Sequence, residues 1–333
     1  MNVGITFDLK DDYLALGFSE EESAEFDKPD TIEAIENAIK FAGHNTERIG
    51  NIWSLTKALS QGKTWDLVFN IAEGFRGIGR EAQVPALLDA YNIPYTFSDP
   101  LVLSLSLHKG ITKRILRDLN LATTDFAEIN TINDVELVNL PFPLFAKPIA
   151  EGTSKGVSLT SIVKNKVELK AECERLIDIF HQPVLLETFL PGREFTVGII
   201  GTGNLAKSIG CMEVLLQKDA EQGVYSYNNK ENYENLVKYR LAEDEISKEV
   251  ENLALNAYKG LGCRDAGRVD IRLDSKGIPN IIELNPLAGL HPVRSDLPMI
   301  CSFKEISYQT LINEILKSAS ERVNQPKYFG ENK

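Results

Sequence analysis

Gly267-Arg268-Val269-Asp270-Ile271-Arg272-Leu273-Asp274-Ser275-Lys276-Gly277-Ile278-Pro279-Asn280-Ile281-Ile282-Glu283-Leu284-Asn285 contains two alternating apolar and polar runs around a turn. Asp274-Ser275-Lys276-Gly277 suits a hairpin connection. With those four residues as the loop, Leu273 faces Ile278, Asp270 faces Ile281 and Arg268 faces Glu283. Side chains alternate faces along a strand. Arg268, Asp270, Glu283 and Asn285 are therefore expected on one face, and Val269, Ile271, Ile282 and Leu284 on the other. A one-residue change in loop length would break this arrangement. Two carboxylates and an amide oxygen on one face suit a hard cation such as Mg²⁺, which takes oxygen ligands and keeps bound phosphates. An arginine beside them can hold phosphate oxygens. On pattern alone, a solvated strand face with a cross-strand Arg268–Glu283 ion pair fits equally well.

Around this hairpin the C-terminal part carries a further strand, Glu194 to Ile200, and helices over Ile246 to Leu261 and Tyr308 to Ala319, with a polar tail from Asn324 expected to fray. The middle of the chain reads as a helix from Leu101 to Leu119 and strands from Phe142 to Lys147 and Val157 to Thr160. A helix from Val167 to Phe180 and a strand from Val184 to Glu187 follow. Between the first two of those strands lies Glu151-Gly152-Thr153-Ser154-Lys155-Gly156, just after Lys147-Pro148. Glycines permit close backbone approach, and exposed N–H groups with two hydroxyls can cradle phosphate oxygens. An ordinary flexible hairpin loop is the competing reading.

The N-terminal part alternates strands (Val3 to Phe7, Val68 to Ile71, Asn92 to Phe97) with helices (Thr31 to Gly43, Glu81 to Tyr91), which predicts a small parallel α/β unit. Asp8 to Lys28 is acidic and poorly periodic, and reads as a long loop. Boundaries near 98 and 187 give an N-terminal unit over 1–98, a central one over 99–187 and a C-terminal one over 188–325. Gly62-Lys63-Thr64 resembles the end of a P-loop, but Lys57 stands where that pattern needs glycine. Gly77-Ile78-Gly79-Arg80-Glu81-Ala82 fits a dinucleotide fingerprint, but neither follows the first strand nor precedes an acid at the expected distance.

The chain has 333 residues and a net charge of −12, so nucleic acid is an unfavourable partner. No apolar run approaches the roughly 20 residues of a membrane helix. The start reads as a strand and not as a signal peptide, which leaves the cytoplasm as the expected compartment. Four dispersed cysteines and four dispersed histidines give no disulfide framework or zinc motif.

Taken in order, three stretches resemble the ATP-grasp superfamily, and within it the D-alanine–D-alanine ligase family. They are Phe145-Ala146-Lys147-Pro148 with Glu151-Gly152-Thr153-Ser154, then Val184 to Val197, then Gly267 to Asp270 with Ile282-Glu283-Leu284-Asn285-Pro286. The resemblance covers Asp66 to Ile315. It implies a parallel α/β domain followed by two α+β subdomains that clamp ATP, and an ATP-dependent ligase working through an acyl-phosphate. By the same resemblance, Lys109 and Lys147 contact ATP, Thr153 and Ser154 belong to a mobile lid, and Glu187, Thr188, Phe189 and Leu190 line the adenine. Glu194 accepts from the ribose hydroxyls. Asp270, Glu283 and Asn285 hold two Mg²⁺ ions, for which Mn²⁺ can substitute. Arg268 and the Gly289 N–H stabilise the tetrahedral intermediate, and Lys230 reaches the transferring phosphate. Small-molecule amino-acid substrates, a homodimer and a place in peptidoglycan biosynthesis are also implied.

The departures from the family pattern fall on amino-acid-binding parts. Thr6 to Tyr13 stands where a glycine- and serine-rich motif and a glutamate are usual. Ala72-Glu73-Gly74 replaces a His-Gly, Glu231 replaces a tyrosine, and Asn285-Pro286-Leu287-Ala288-Gly289-Leu290 replaces Asn-Thr-x-Pro-Gly-Met. Glu73 is expected to take over an ammonium contact, and Arg294 or Ser295 to grip a carboxylate. Surface placement or an ion pair is the competing reading for Glu73 and Arg294. Other ligases of the superfamily, a nucleotide sensor without turnover and a dehydrogenase are the alternative functions.

Overall fold

A computed structural model describes residues 1–323; the tail from Asn324 lies outside the described residues. The strands are β1 (Asn2–Thr6), β2 (Asn45–Gly50), β3 (Leu67–Asn70), β4 (Phe126–Ile129), β5 (Leu144–Pro148), β6 (Ile162–Val163), β7 (Val184–Thr188), β8 (Glu194–Ile200), β9 (Lys207–Leu216), β10 (Val237–Leu241), β11 (Ala266–Leu273) and β12 (Pro279–Asn285). They form three sheets, ordered β2-β1-β3, β4-β7-β5-β6 and β10-β9-β8-β11-β12. The first is parallel and the other two are antiparallel.

Helix Pro29–Phe41 starts on a proline, whose missing N–H costs nothing in a first turn. Its Ile32, Ile35 and Ile39 recur at helical spacing and pack against Val3 and Ile5 of β1 in one core. The last helix, Tyr308–Val323, returns across the chain and buries Leu311, Ile312, Ile315 and Leu316 in that same core. Helix Lys166–Phe180 is capped by Asn165, whose side chain accepts from the N–H groups of Val167 and Glu168 at 3.0 Å, and it covers the second sheet. Helix Glu245–Gly260, capped by Asp244, lays Val250, Ala254 and Ala257 on the third.

Several expectations need correction. The segment after β1 is not all loop: Lys10–Ala15 is helical, anchored where Asp8 accepts from the Tyr13 hydroxyl and the Gly74 N–H. Leu101 to Leu119 is two helices, Pro100–Leu107 and Lys109–Asp118, because the His108 side chain caps the second. The strand expected at Val157 to Thr160 is a turn and a 3-10 segment, and the strand itself is β6. Asn92 to Phe97 makes a single bridge, Tyr95 to Val68.

The decisive hairpin also differs from its expected register. Leu273 pairs with Pro279, Arg272 with Asn280 and Ile271 with Ile281. The turn is therefore Asp274 to Ile278, where the Asp274 carboxylate accepts from the N–H groups of Lys276 and Ile278 at 2.8 and 2.9 Å. Carried on unchanged, this register would put Asp270 opposite Ile282. A β-bulge at Ile282 inserts one residue, so Asp270 faces Glu283 and Arg268 faces Asn285. The longer loop and the bulge together shift the ladder by two residues, and the four polar side chains keep their common face. Ile281, rather than Ile282, joins Leu284 in the core.

Candidate active site

Two cavities adjoin where the second and third sheets meet. The first, about 120 Å³, is lined by Lys109, Lys147, Thr153, Ser154, Glu187, Thr188, Phe189, Leu190, Glu194, Lys230, Arg268, Asp270 and Glu283. The second, about 450 Å³, is lined by Asn285, Gly289, Glu73, Arg294 and Ser295. Thr153, Tyr225, Lys230, Arg268 and Glu283 border both. Every residue given a candidate site role from the sequence thus lies on one wall or the other, although these residues span the chain from the end of β3 to the start of helix Asp296–Phe303.

Glu187 sits on β7 with its carboxylate between two buried lysines, 2.5 Å from Lys113 Nζ and 2.6 Å from Lys147 Nζ. The Thr124 hydroxyl also donates to it, at 3.0 Å. Burial opposes its charge, but the lysines outweigh burial and hold the carboxyl at about 2. For Lys113, burial wins over the shared carboxylate, and its ammonium lies below the usual lysine range. For Lys147, Glu187 together with Glu283 and Asp270 overcomes burial and holds it above that range. The Glu187 side chain therefore holds Lys147 in place on the wall of the first cavity. The N–H groups of Thr188 and Phe189 already donate to the carbonyl oxygens of Asp125 and Pro143, at 3.0 and 3.1 Å. Among these four residues, the Leu190 N–H is the one left to read a ligand edge.

On the facing ribbon, Asp270 accepts from the Thr196 hydroxyl at 2.9 Å and from the Asn285 amide nitrogen at 3.1 Å. Burial pushes its carboxyl up, and the Glu283 charge adds to that against the pull of Arg268. Glu283 is buried too, but Lys109, 3.0 Å away, and Lys147 bring its carboxyl below the usual range. The cross-strand Arg268–Glu283 pair does not form; Arg268 pairs with Asp296 and, at 3.4 Å, with Asp270. Two carboxylates opposed across a strand pair, with the amide oxygen of Asn285 beside them, form a donor set that fits Mg²⁺. Among the described residues no three His, Cys, Asp or Glu side chains form a metal cage. Mg²⁺ commonly binds through one or two carboxylates and takes its other ligands from water and phosphate.

Thr153 and Ser154 adopt positive φ, +51° and +56°, which gives their loop its fold-over shape. The Ser154 hydroxyl donates to the Tyr225 carbonyl oxygen at 3.0 Å, which ties this loop to the segment carrying Lys230. Lys230 Nζ lies 5.4 Å from the centre of the Tyr225 ring. Glu194 is pushed up by burial, with Arg272 3.3 Å away as its counter-charge. A Cβ on Gly289 would come 2.9 Å from Ser295 Oγ, so a larger residue there would require the Ser295 side chain to move. Ser295 Oγ accepts from the His291 N–H at 3.0 Å, and Arg294 is exposed at the cavity rim.

Several cavity residues escaped the sequence reading. Arg272 follows Arg268 and Asp270 on the same strand face, so the alternation alone could have found it. Lys155 pairs with Glu151 and, at 3.2 Å, with Glu25; no local signal ties it to an acid so far away in the chain. Glu25 also accepts from the Gly152 N–H at 2.6 Å and pairs with Arg80 at 2.9 Å. Asp27 and Glu81 line the second cavity beside Glu73. Gly77 and Gly79 form a turn leading into a 3-10 segment at Arg80, so the dinucleotide-like motif serves to place Arg80 and Glu81.

Comparison with known proteins agrees with this geometry. The family model "D-ala D-ala ligase C-terminus" matches residues 115–317. The chain is 31% identical over 255 residues to a D-alanine–D-alanine ligase of Bordetella avium, covering 74% of this chain and 77% of that one. It is 30% identical over 292 residues to a D-alanine–D-alanine ligase of Aquifex aeolicus, covering 86% and 93%. The crystal structure of the D-alanine–D-alanine ligase from Bacillus anthracis complexed with ATP shares the fold, with a TM-score of 0.73 at 22% identity over 97% of this chain and 98% of that one. The chain therefore has the ATP-grasp fold and belongs to the D-alanine–D-alanine ligase family of ATP-dependent ligases.

Proposed function

We propose that the first cavity binds ATP, the second binds amino-acid substrates, and their shared wall is where a carboxylate is activated and joined to an amine. The observation that carries this reading is the bulged ribbon: Asp270 and Glu283 face each other and border the cavity that Lys147 also lines. The relatives are named for D-alanine, which makes small amino acids the substrate class.

In this scheme a substrate carboxylate oxygen attacks the γ-phosphorus, the bond to the β-phosphate oxygen breaks, and ADP leaves. The amine, after losing a proton from its ammonium form, attacks the acyl carbon. The C–O bond to phosphate then breaks, giving the amide, inorganic phosphate and, overall, one proton. Lys147 and Lys109 hold phosphate oxygens, and Lys230 approaches the transferring group from the loop side. Arg268 and the Gly289 N–H face the oxyanion, and Leu190 and Glu194 orient adenine and ribose. Mg²⁺ held by Asp270, Glu283 and Asn285 would neutralise phosphate charge. Thr153 and Ser154 exclude water that would hydrolyse the acyl-phosphate. One sheet per segment supports the division into 1–98, 99–187 and 188–325, although the last helix packs back on the first unit and residues 324–325 lie outside the described residues. The family resemblance supports a cytoplasmic homodimer, a state that light scattering reads.

The test uses ATP, Mg²⁺ and a panel of D- and L-amino acids carrying ¹⁸O in their carboxylates. Released phosphate should carry one ¹⁸O per turnover. Unlabelled phosphate would mean that water attacks ATP, and would remove the acyl-phosphate from the account.

A further inference from the structure

Part of the second cavity's wall comes from the N-terminal segment, and its chemistry is one-sided. Asp27, Glu73 and Glu81 all line it. Among the described residues, neither the Glu73 nor the Glu81 carboxylate has a hydrogen-bond or ion-pair partner, although the Glu73 backbone N–H donates to Asp8. Arg80 acts on both and Lys109 on Glu81, but each is engaged elsewhere: Arg80 Nη2 donates to the two Glu25 oxygens at 2.9 and 3.1 Å, its Nη1 donates to the Ala150 carbonyl oxygen at 2.8 Å, and Lys109 pairs with Glu283 at 3.0 Å. Lys10 is tied to Glu20 at 2.7 Å. Lys28 and Arg294 border the cavity but are exposed, where solvent screens their charge. Asp8, the acid that follows β1, already accepts from Gly74 and Tyr13. Burial and mutual repulsion raise the Glu73 carboxyl well above the carboxylate range. Burial pushes Glu81 up to about 8 in spite of Arg80. Asp27 reaches about 8 through burial and the Asp8 charge.

Carboxylates in such a place must either take up protons or meet a cation that the ligand brings. The α-ammonium of a neutral amino acid supplies one positive charge to three carboxylates. The cavity is continuous with the Arg268–Gly289 wall where the family's reaction joins carboxylate to amine, so its occupant is a substrate.

We infer that this substrate carries a second cationic group, an ammonium or guanidinium on its side chain, and that Glu73 and Glu81 select it. The inference rests on the ligase reading above and replaces its small amino acids with basic ones.

The test measures phosphate release by the full chain with ATP and Mg²⁺. The amino acids are D- and L-alanine, serine, glutamate, ornithine, lysine and arginine, alone and in pairs with alanine. At least one basic amino acid should exceed alanine in kcat/KM by about 100-fold, the scale of discrimination that a desolvated charge pair provides. Glu81→Gln should shrink that ratio at least tenfold, through KM for the basic substrate, and Glu81→Asp should restore part of it. Alanine turned over as well as any basic amino acid would overturn the inference and leave the ligase reading standing. A ratio unmoved by Glu81→Gln would overturn the selecting role of that residue. Release with no amino acid at all would overturn the ligase reading and the inference with it.

Discussion

Replacing Glu283 by glutamine is expected to reduce ligase turnover by about 1000-fold, on the order of 4 kcal/mol of transition-state stabilisation, while the protein stays folded. The side chain keeps its shape and loses its charge. Asp270, already raised by burial, would then be the one carboxylate left on that face of the ribbon. Lys109 would lose its partner at 3.0 Å and keep only its bond to the Glu151 carbonyl oxygen. The measurement is kcat at saturating ATP and Mg²⁺, with the unfolding midpoint as control. Turnover within tenfold of wild type would remove Glu283 from the phosphate-handling face.

The second large effect concerns stability. Glu187→Gln leaves Lys113 and Lys147 buried together without the anion they share, and breaking such a pair costs about 3–5 kcal/mol. The sign of its pH dependence follows from the direction of the shift. The carboxyl falls from an ordinary 4.5 to about 2 on folding, so its contribution is complete above 4.5 and fades as pH drops toward 2. The stability gap between wild type and Glu187→Gln should therefore be constant from pH 7 to 5 and narrow below 4.5. A gap that stays constant through pH 3 would show that Glu187 is not held ionised by its lysines. ATP affinity should fall in the same variant, because Lys147 is no longer fixed.

The ribbon was legible because its chemistry lies in one short alternating stretch. The shared face of Arg268, Asp270, Glu283 and Asn285 follows from period-two geometry, and it survived an incorrect register because the ladder moved by an even number of residues. The bulge at Ile282 was not legible: nothing in Ile281-Ile282 says which isoleucine enters the core. Periodicity marked most helices, yet missed the break at His108, where a side-chain cap replaces a helical turn. β9 and β10, with β10 at the sheet's edge, carry mixed polar and apolar residues and gave no strand signal.

The acidic wall of the second cavity was the least legible part. Glu73 was found because it stands where a family position differs. Glu25, Asp27 and Glu81 come from segments that are adjacent only after folding, and one of those segments reads as featureless acidic loop. Lys113 was visible only as a charged residue on a helix, whereas in the fold it is buried and holds Glu187 from the side opposite Lys147. Long-range ion pairs of this kind leave no mark on local sequence, because neither partner's neighbours carry the information.

A crystal structure of the protein with Mg²⁺ and a non-hydrolysable ATP analogue tests the central claim most directly. The account predicts metal bound to Asp270 and Glu283 at about 2.1 Å, with the triphosphate between them and Lys147. Nucleotide bound elsewhere, or a triphosphate whose metal touches neither carboxylate, would contradict it.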